Sequence, residues 1–144
     1  MTVACKDSFF MDSNIWLYAF AEKAEDSVTN EKRRIAIELT QQSGIVISFQ
    51  VINEVCVNAI KKLSFTAEET LELIEDFYNG CIVIESSRGL SFRATELRTK
   101  YQISFWDSLV VAAAIQAEVL TLYSEDMQNG LTINDSVQIV NPFL

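Results

Sequence analysis

Five short runs of almost wholly apolar residues punctuate this chain: 8–11, 45–48, 81–84, 120–123 and 137–140. Between them lie longer segments with helix-like apolar spacing. Strands this short, rich in Val and Ile and without apolar–polar alternation, are buried on both faces. Strands that alternate with helices imply parallel pairing through right-handed crossovers. The chain is therefore expected to form a three-layer α/β domain with a mostly parallel five-stranded sheet. Ligand sites in such sheets form beyond the carboxyl ends of the strands, and that rule selects among candidate residues.

The intervening segments read as follows. Ile15 to Phe20 is apolar and helical, and residues 22–30 form a polar loop. Residues 31–42 form a helix that stops before Gly44, and 50–62 form another. Thr66-Ala67-Glu68-Glu69 is a capping box that opens a helix ending at Gly80. Residues 92–101 form a helix, and Ser104-Phe105-Trp106-Asp107 opens the most apolar one, which runs to about Glu118. The sole proline is Pro142, and no linker or repeat breaks the chain, so residues 1–144 read as one domain.

Absent residue types narrow the chemistry. The chain has no histidine, which excludes imidazole-based triads and metal sites. Its four glycines, Gly44, Gly80, Gly89 and Gly130, are too far apart to build a phosphate-cradling loop. Three scattered cysteines, Cys5, Cys56 and Cys81, read as buried reduced thiols and suggest a cytoplasmic protein rather than a zinc site. No apolar run is long enough to span a bilayer, and no secretory signal precedes the first strand. Carboxylates, hydroxyls, amides and a few lysines remain for catalysis.

Four acids satisfy the strand-end rule. Asp12 follows the first strand, and Glu54 lies early in the helix after the second. Asp107 opens the helix leading into the fourth strand, and Asp126 lies just past that strand. Each also has a structural reading: Asp12 as a helix cap, Asp107 as part of a capping box with Ser104, Glu54 as an exposed helix residue, and Asp126 as a turn residue. Their shared placement favours function. Two carboxylates ~4 Å apart repel by about 4 kcal/mol at an effective dielectric of ~20. A hard divalent cation removes that conflict, and all-oxygen ligands point to Mg²⁺ or Mn²⁺. Such ions commonly meet substrate phosphates, so metal-assisted phosphodiester chemistry is indicated.

The stretches around these acids carry a family resemblance. Phe10-Met11-Asp12-Ser13-Asn14-Ile15, Ile52-Asn53-Glu54-Val55, Ser104-Phe105-Trp106-Asp107-Ser108-Leu109 and Tyr123-Ser124-Glu125-Asp126-Met127 resemble the PIN domain, specifically the VapC-type toxin ribonucleases. The resemblance implies a PIN-like (Rossmann-like) fold and a pocket of Asp12, Glu54, Asp107 and Asp126 that binds Mg²⁺ or Mn²⁺. It implies endonucleolytic cleavage of RNA by a homodimer restrained by a small VapB-like antitoxin. Asn14 and Ser124 are then the supporting polar groups, and Glu125 competes with Asp126 for the fourth position.

Net charge of −9 is the wrong sign for a nucleic-acid protein taken as a whole, so RNA contacts would fall to local basic clusters. These are Lys32-Arg33-Arg34, Lys61-Lys62, and Arg88, Arg93, Arg98 and Lys100. The aromatics of 15–20 with Phe65, Phe77 and Tyr78 suggest a groove for an antitoxin segment. A receiver-type phosphoacceptor would need a lysine beyond Lys100, and none exists. An aspartate-nucleophile phosphatase would need an acid at the position of Asn14. The standing alternative is a non-catalytic PIN-like module that binds RNA or protein.

Overall fold

A computed structural model describes residues 7–144; Cys5 lies outside them. The chain runs β1 (Phe9–Met11), α1 (Ser13–Phe20), α2 (Ser27–Thr40), β2 (Ile45–Ser48), α3 (Phe49–Leu63) and α4 (Ala67–Gly80). It continues through β3 (Ile82–Ile84), α5 (Arg88–Tyr101), α6 (Phe105–Gln116), β4 (Thr121–Tyr123), β5 (Thr132–Ile133) and β6 (Val137–Val140). The strands form one sheet in the order β3-β2-β1-β4-β6-β5. Every pairing is parallel except β5 with β6.

The five expected strands are the five parallel ones. The sixth, β5, escapes notice in the sequence because it has only two residues, Thr132 and Ile133. It is held by a tight reversal. Ser136 N–H donates to the Ile133 carbonyl at 2.9 Å, and Asn134 and Asp135 both take φ of 52°. Asn and Asp tolerate that left-handed conformation, which matches the twist of a hairpin.

Two helices begin earlier than expected. Helix α2 starts at Ser27 because Asp26 caps it, accepting from Thr29 N–H. Helix α5 starts at Arg88 because Ser87 caps it, accepting from Leu90 N–H at 3.1 Å. The polar first turns hid both starts. The capping box at Thr66 and Glu69 forms in both directions.

The core lies on both faces of the sheet, where Phe10, Met11, Ile47 and Leu122 are completely buried. Burying a side chain of this size contributes about 1.5–3 kcal/mol. The middle of helix α6 is covered on all sides, with Val110 to Ala114 at most 2% exposed. Its run of small residues lets neighbouring backbone approach closely, and the helix start carries Asp107 to the sheet edge. Of the aromatics expected to form a partner groove, several also pack on one another. Trp16 meets Phe77 edge-on at 4.9 Å, and Phe20 lies beside Phe65 and Phe77. Tyr78 stays exposed. Among the described residues, no helix is long and apolar enough to cross a membrane.

The strand order creates the site. The chain steps outward from β1 to β2 and β3, then returns to lay β4 on the other side of β1. The carboxyl ends of β1 and β4 therefore flank a crevice where crossover direction reverses. Asp12 N–H donates to the Tyr123 carbonyl at 3.0 Å, which locks the two strand ends together.

Candidate active site

Asp12 leaves β1 and caps α1. Its Oδ1 accepts from Ser13 N–H at 2.8 Å, and its Oδ2 accepts from Ser124 Oγ–H at 2.9 Å. The residue is only 7% exposed, and no ion pair among the described residues includes it. Burial pushes its carboxyl up to about 6, with added repulsion from Glu54 and Asp107 and partial relief from the Ser13 and Ser124 hydrogen bonds. Its cap role and its place at the crevice are thus simultaneous.

Glu54 projects from the second turn of α3. One oxygen accepts from Ser13 Oγ–H at 2.9 Å and the other from Gln50 Nε2–H at 2.8 Å. The same Gln50 amide reaches the Trp106 carbonyl at 3.3 Å, so it ties α3 to the start of α6. Asp107 stands in the first turn of α6, its N–H donating to Ser104 Oγ at 3.0 Å. Burial raises its carboxyl pKa, and Asp126 and Glu54 add to that while the Ser104 contact opposes it. Asp126 lies past β4, where Oδ2 accepts from Asn14 Nδ2–H at 3.0 Å.

Mutual repulsion thus links Asp12 to Glu54 and Asp107, and Asp107 to Glu54 and Asp126. The four acids share one electrostatic patch, although they come from four separate segments. As the side chains lie, no three acids among the described residues are gathered closely enough to hold a single ion. Ser13 and Asn14 hold Glu54 and Asp126 by hydrogen bonds at 2.9 and 3.0 Å. The donors are oxygen only, and Asp12 is buried without a countercharge. That chemistry fits a hard divalent cation.

Glu125 is engaged by other partners. It accepts from Tyr18 Oη–H at 2.9 Å and pairs with Lys32 Nζ at 2.6 Å. Its N–H meets Asn14 Oδ1 at 3.5 Å, so Asn14 braces both Glu125 and Asp126. The Lys32-Arg33-Arg34 run, expected to offer phosphate contacts, has partners within the fold. Lys32 pairs with Glu125, Arg33 Nε–H donates to the Ala21 carbonyl at 2.8 Å, and Arg34 pairs with Glu31 and Glu38. No ion pair among the described residues takes up Lys61, Lys62, Arg88, Arg93 or Arg98.

Sequence reasoning overlooked Ser13 and Gln50. Gln50 could have been found from its i,i+4 spacing to Glu54, whereas the reach of Ser13 to Glu54 depends on the β1–β2 pairing. Among the described residues the thiols lie apart from the acids' hydrogen bonds: Cys56 is buried and Cys81 half-buried. Burial raises the Cys56 pKa and pushes the Cys81 thiol up to about 11.

Comparison with solved structures finds the same fold in bacterial toxins. A toxin–antitoxin complex from Klebsiella pneumoniae superposes with a TM-score of 0.69 at 20% identity, covering 94% of this chain and 98% of that one. A Mycobacterium tuberculosis VapC toxin that cleaves the sarcin–ricin loop gives 0.62 at 15% identity, over 80% and 87% of the two chains. A Rickettsia felis VapBC complex bound to a promoter DNA fragment gives 0.61 at 20% identity, over 92% and 98%. At these identities the likeness is one of fold. Comparison with curated protein sequences gave no match. The sequence profile of the PIN domain matches residues 9–128, and on that match the chain belongs to the PIN domain family.

Proposed function

We propose that this protein is a VapC-type toxin, a divalent-metal-dependent endoribonuclease that hydrolyses RNA phosphodiester bonds at Asp12, Glu54, Asp107 and Asp126. The observation that supports this reading is the mutual repulsion that links these acids where crossover direction reverses, with Asp12 buried and lacking a cationic partner among the described residues. Glu125 is neutralised by Lys32, which favours Asp126 as the fourth acid. The structural likeness to VapC toxins and their complexes supports the toxin assignment. By the same likeness, a small VapB-like antitoxin is the proposed protein partner and a homodimer the proposed assembly. Such a toxin would act in the cytoplasm.

An RNA phosphate cannot approach four carboxylates against their combined field. A bound Mg²⁺ or Mn²⁺ ion would supply the missing positive charge, acidify water and stabilise charge on the phosphate. Asp12, Glu54, Asp107 and Asp126 would hold it. Ser124 and Ser13 N–H fix the two oxygens of Asp12, Gln50 and Ser13 steer Glu54, and Asn14 orients Asp126. Such supporting hydrogen bonds aim ligands and tune their basicity. Lys61, Lys62, Arg88 and Arg93 supply backbone contacts to single-stranded RNA outside the acidic patch.

The test is cleavage of a broad panel of single-stranded RNAs by purified, partner-free protein. Cleavage in Mn²⁺ or Mg²⁺ is expected to vanish with chelator and with Asp12→Asn or Asp107→Asn. Folded protein that binds RNA or a protein partner yet cuts nothing in the panel overturns the ribonuclease reading in favour of a binding module.

A further inference from the structure

Beside the acidic patch lies a cavity of about 620 Å³, bounded by the starts of α3, α5 and α6. Its apolar lining comes from Val57, Leu90 and Leu109, and its polar lining includes serines and the amides of Asn53 and Asn58. Among the described residues, Glu54 is its only charged lining residue. Two aromatic rings stand at the mouth. Trp106 is 66% exposed and Phe49 40%, whereas the other tryptophan, Trp16, is buried and donates from Nε1 to the Met11 carbonyl. The Trp106 ring meets Phe105 edge-on at 6.4 Å yet leaves most of its indole open beside the candidate catalytic centre.

The chemistry of the lining selects the occupant. The lining holds no lysine or arginine, and the Glu54 carboxylate repels a phosphate or an acidic peptide. An uncharged, planar ring with hydrogen-bonding edges meets every feature: an indole to stack on, an apolar lining, and amides at its edge. Asn53 is exposed and its side chain takes part in no hydrogen bond among the described residues. Asn58 spends one N–H on the Glu54 carbonyl and keeps its Oδ1. The cavity is also coupled to the acids, because Gln50 contacts both the Glu54 carboxylate and the Trp106 carbonyl.

We infer that this cavity is a nucleobase subsite, in which Trp106 stacks one unpaired base of the RNA while Asn53 and Asn58 meet its edge, setting which phosphate reaches the acids. This inference rests on the ribonuclease reading for its role in cleavage, but base binding itself does not depend on it. Unpaired bases are recognised by stacking on aromatic rings combined with edge hydrogen bonds, and removing the ring weakens binding several-fold or more.

Two measurements test it. In the first, Mn²⁺-dependent cleavage is followed with a short single-stranded RNA and with versions carrying one abasic nucleotide at each position in turn. Trp106→Ala is expected to lower kcat/KM by roughly 5- to 150-fold, chiefly through KM, with Trp106→Phe recovering part of the loss. One abasic position should cost the parent protein a similar factor and cost Trp106→Ala almost nothing further. In the second, anisotropy of a labelled hexaribonucleotide and its fully abasic analogue is measured with chelator at low salt. The parent is expected to favour the base-bearing strand, and Trp106→Ala and Asn53→Ala to lose that preference.

The inference is overturned if abasic substitutions and Trp106→Ala act independently, or if the parent binds both strands alike. It is equally overturned if Trp106→Ala leaves RNA handling intact and weakens only capture of a protein partner. If no RNA is cut in Mn²⁺, the ribonuclease reading fails, and the binding measurement alone decides the subsite.

Discussion

Replacing Asp12 by Asn should stabilise the metal-free protein while destroying its activity. The folded state raises the Asp12 carboxyl from 3.8 to about 6, chiefly by burial. Between those pH values the native state binds the proton more tightly than the unfolded chain does, so stability falls as pH rises through this window and stays low above it. About two pKa units at ~1.4 kcal/mol each place the cost of the charged form near 3 kcal/mol at pH 8. An Asn side chain carries no such cost. Its Oδ1 still accepts from Ser13 N–H, so the cap on α1 survives, and its amide can donate to Ser124 Oγ. Urea unfolding in chelator should therefore show Asp12→Asn about 3 kcal/mol more stable than the parent at pH 8. The gap should shrink as pH falls through this window and close below the unfolded value of 3.8, where Asp12 is protonated in both states. If the variant is equally or less stable at pH 8, or if the gap does not change with pH, Asp12 is not a buried, uncompensated carboxylate and the electrostatic argument fails.

Further outcomes are expected from the same geometry. Mn²⁺ should raise the unfolding temperature of the parent protein and have little effect on Asp12→Asn; at a hundredfold excess over Kd the gain is about 2.7 kcal/mol. Asn14→Ala removes the brace on Asp126 and should reduce cleavage by roughly 10- to 100-fold, with circular dichroism unchanged. Glu125→Gln breaks the pair with Lys32 but leaves the acidic patch intact. It should cost less than about 1 kcal/mol of stability and leave metal-dependent cleavage standing, whereas Asp126→Asn should abolish it. Changing Lys61, Lys62, Arg88 and Arg93 singly to Ala should each flatten the salt dependence of RNA binding by a slope of roughly 0.7 in log–log terms. Arg34→Ala should not alter that slope, because Arg34 is occupied by Glu31 and Glu38.

Much of this was legible in the residues, for reasons that can be named. The five parallel strands announce themselves because burial on both faces demands unbroken apolar runs such as Ile45-Val46-Ile47. Strand β5 does not, since Thr132 and Ile133 are held by a turn and one neighbour rather than by a run of their own. The four acids could be placed near one edge from their position relative to strand ends. Their supporting contacts could not, because Ser13 with Glu54 and Asn14 with Asp126 join residues 41 and 112 positions apart. The fate of the basic run 32–34 was equally hidden. Whether Lys32 greets solvent or Glu125 depends on how α2 packs beside the loop after β4, and no local pattern records that. Trp16 and Trp106 differ for the same reason: one donates into the β1 edge and the other stands at a cavity mouth.

The central claim is that carboxylates from four separated segments serve one cation at the edge of the sheet. Anomalous diffraction from crystals soaked in Mn²⁺ addresses it directly. A manganese peak flanked by Asp12 and Asp107, with Glu54 or Asp126 rotated from its hydrogen-bonded position toward the ion, is the expected result. Manganese bound only at other acids, or no peak at this crevice in a fully soaked crystal, would contradict it.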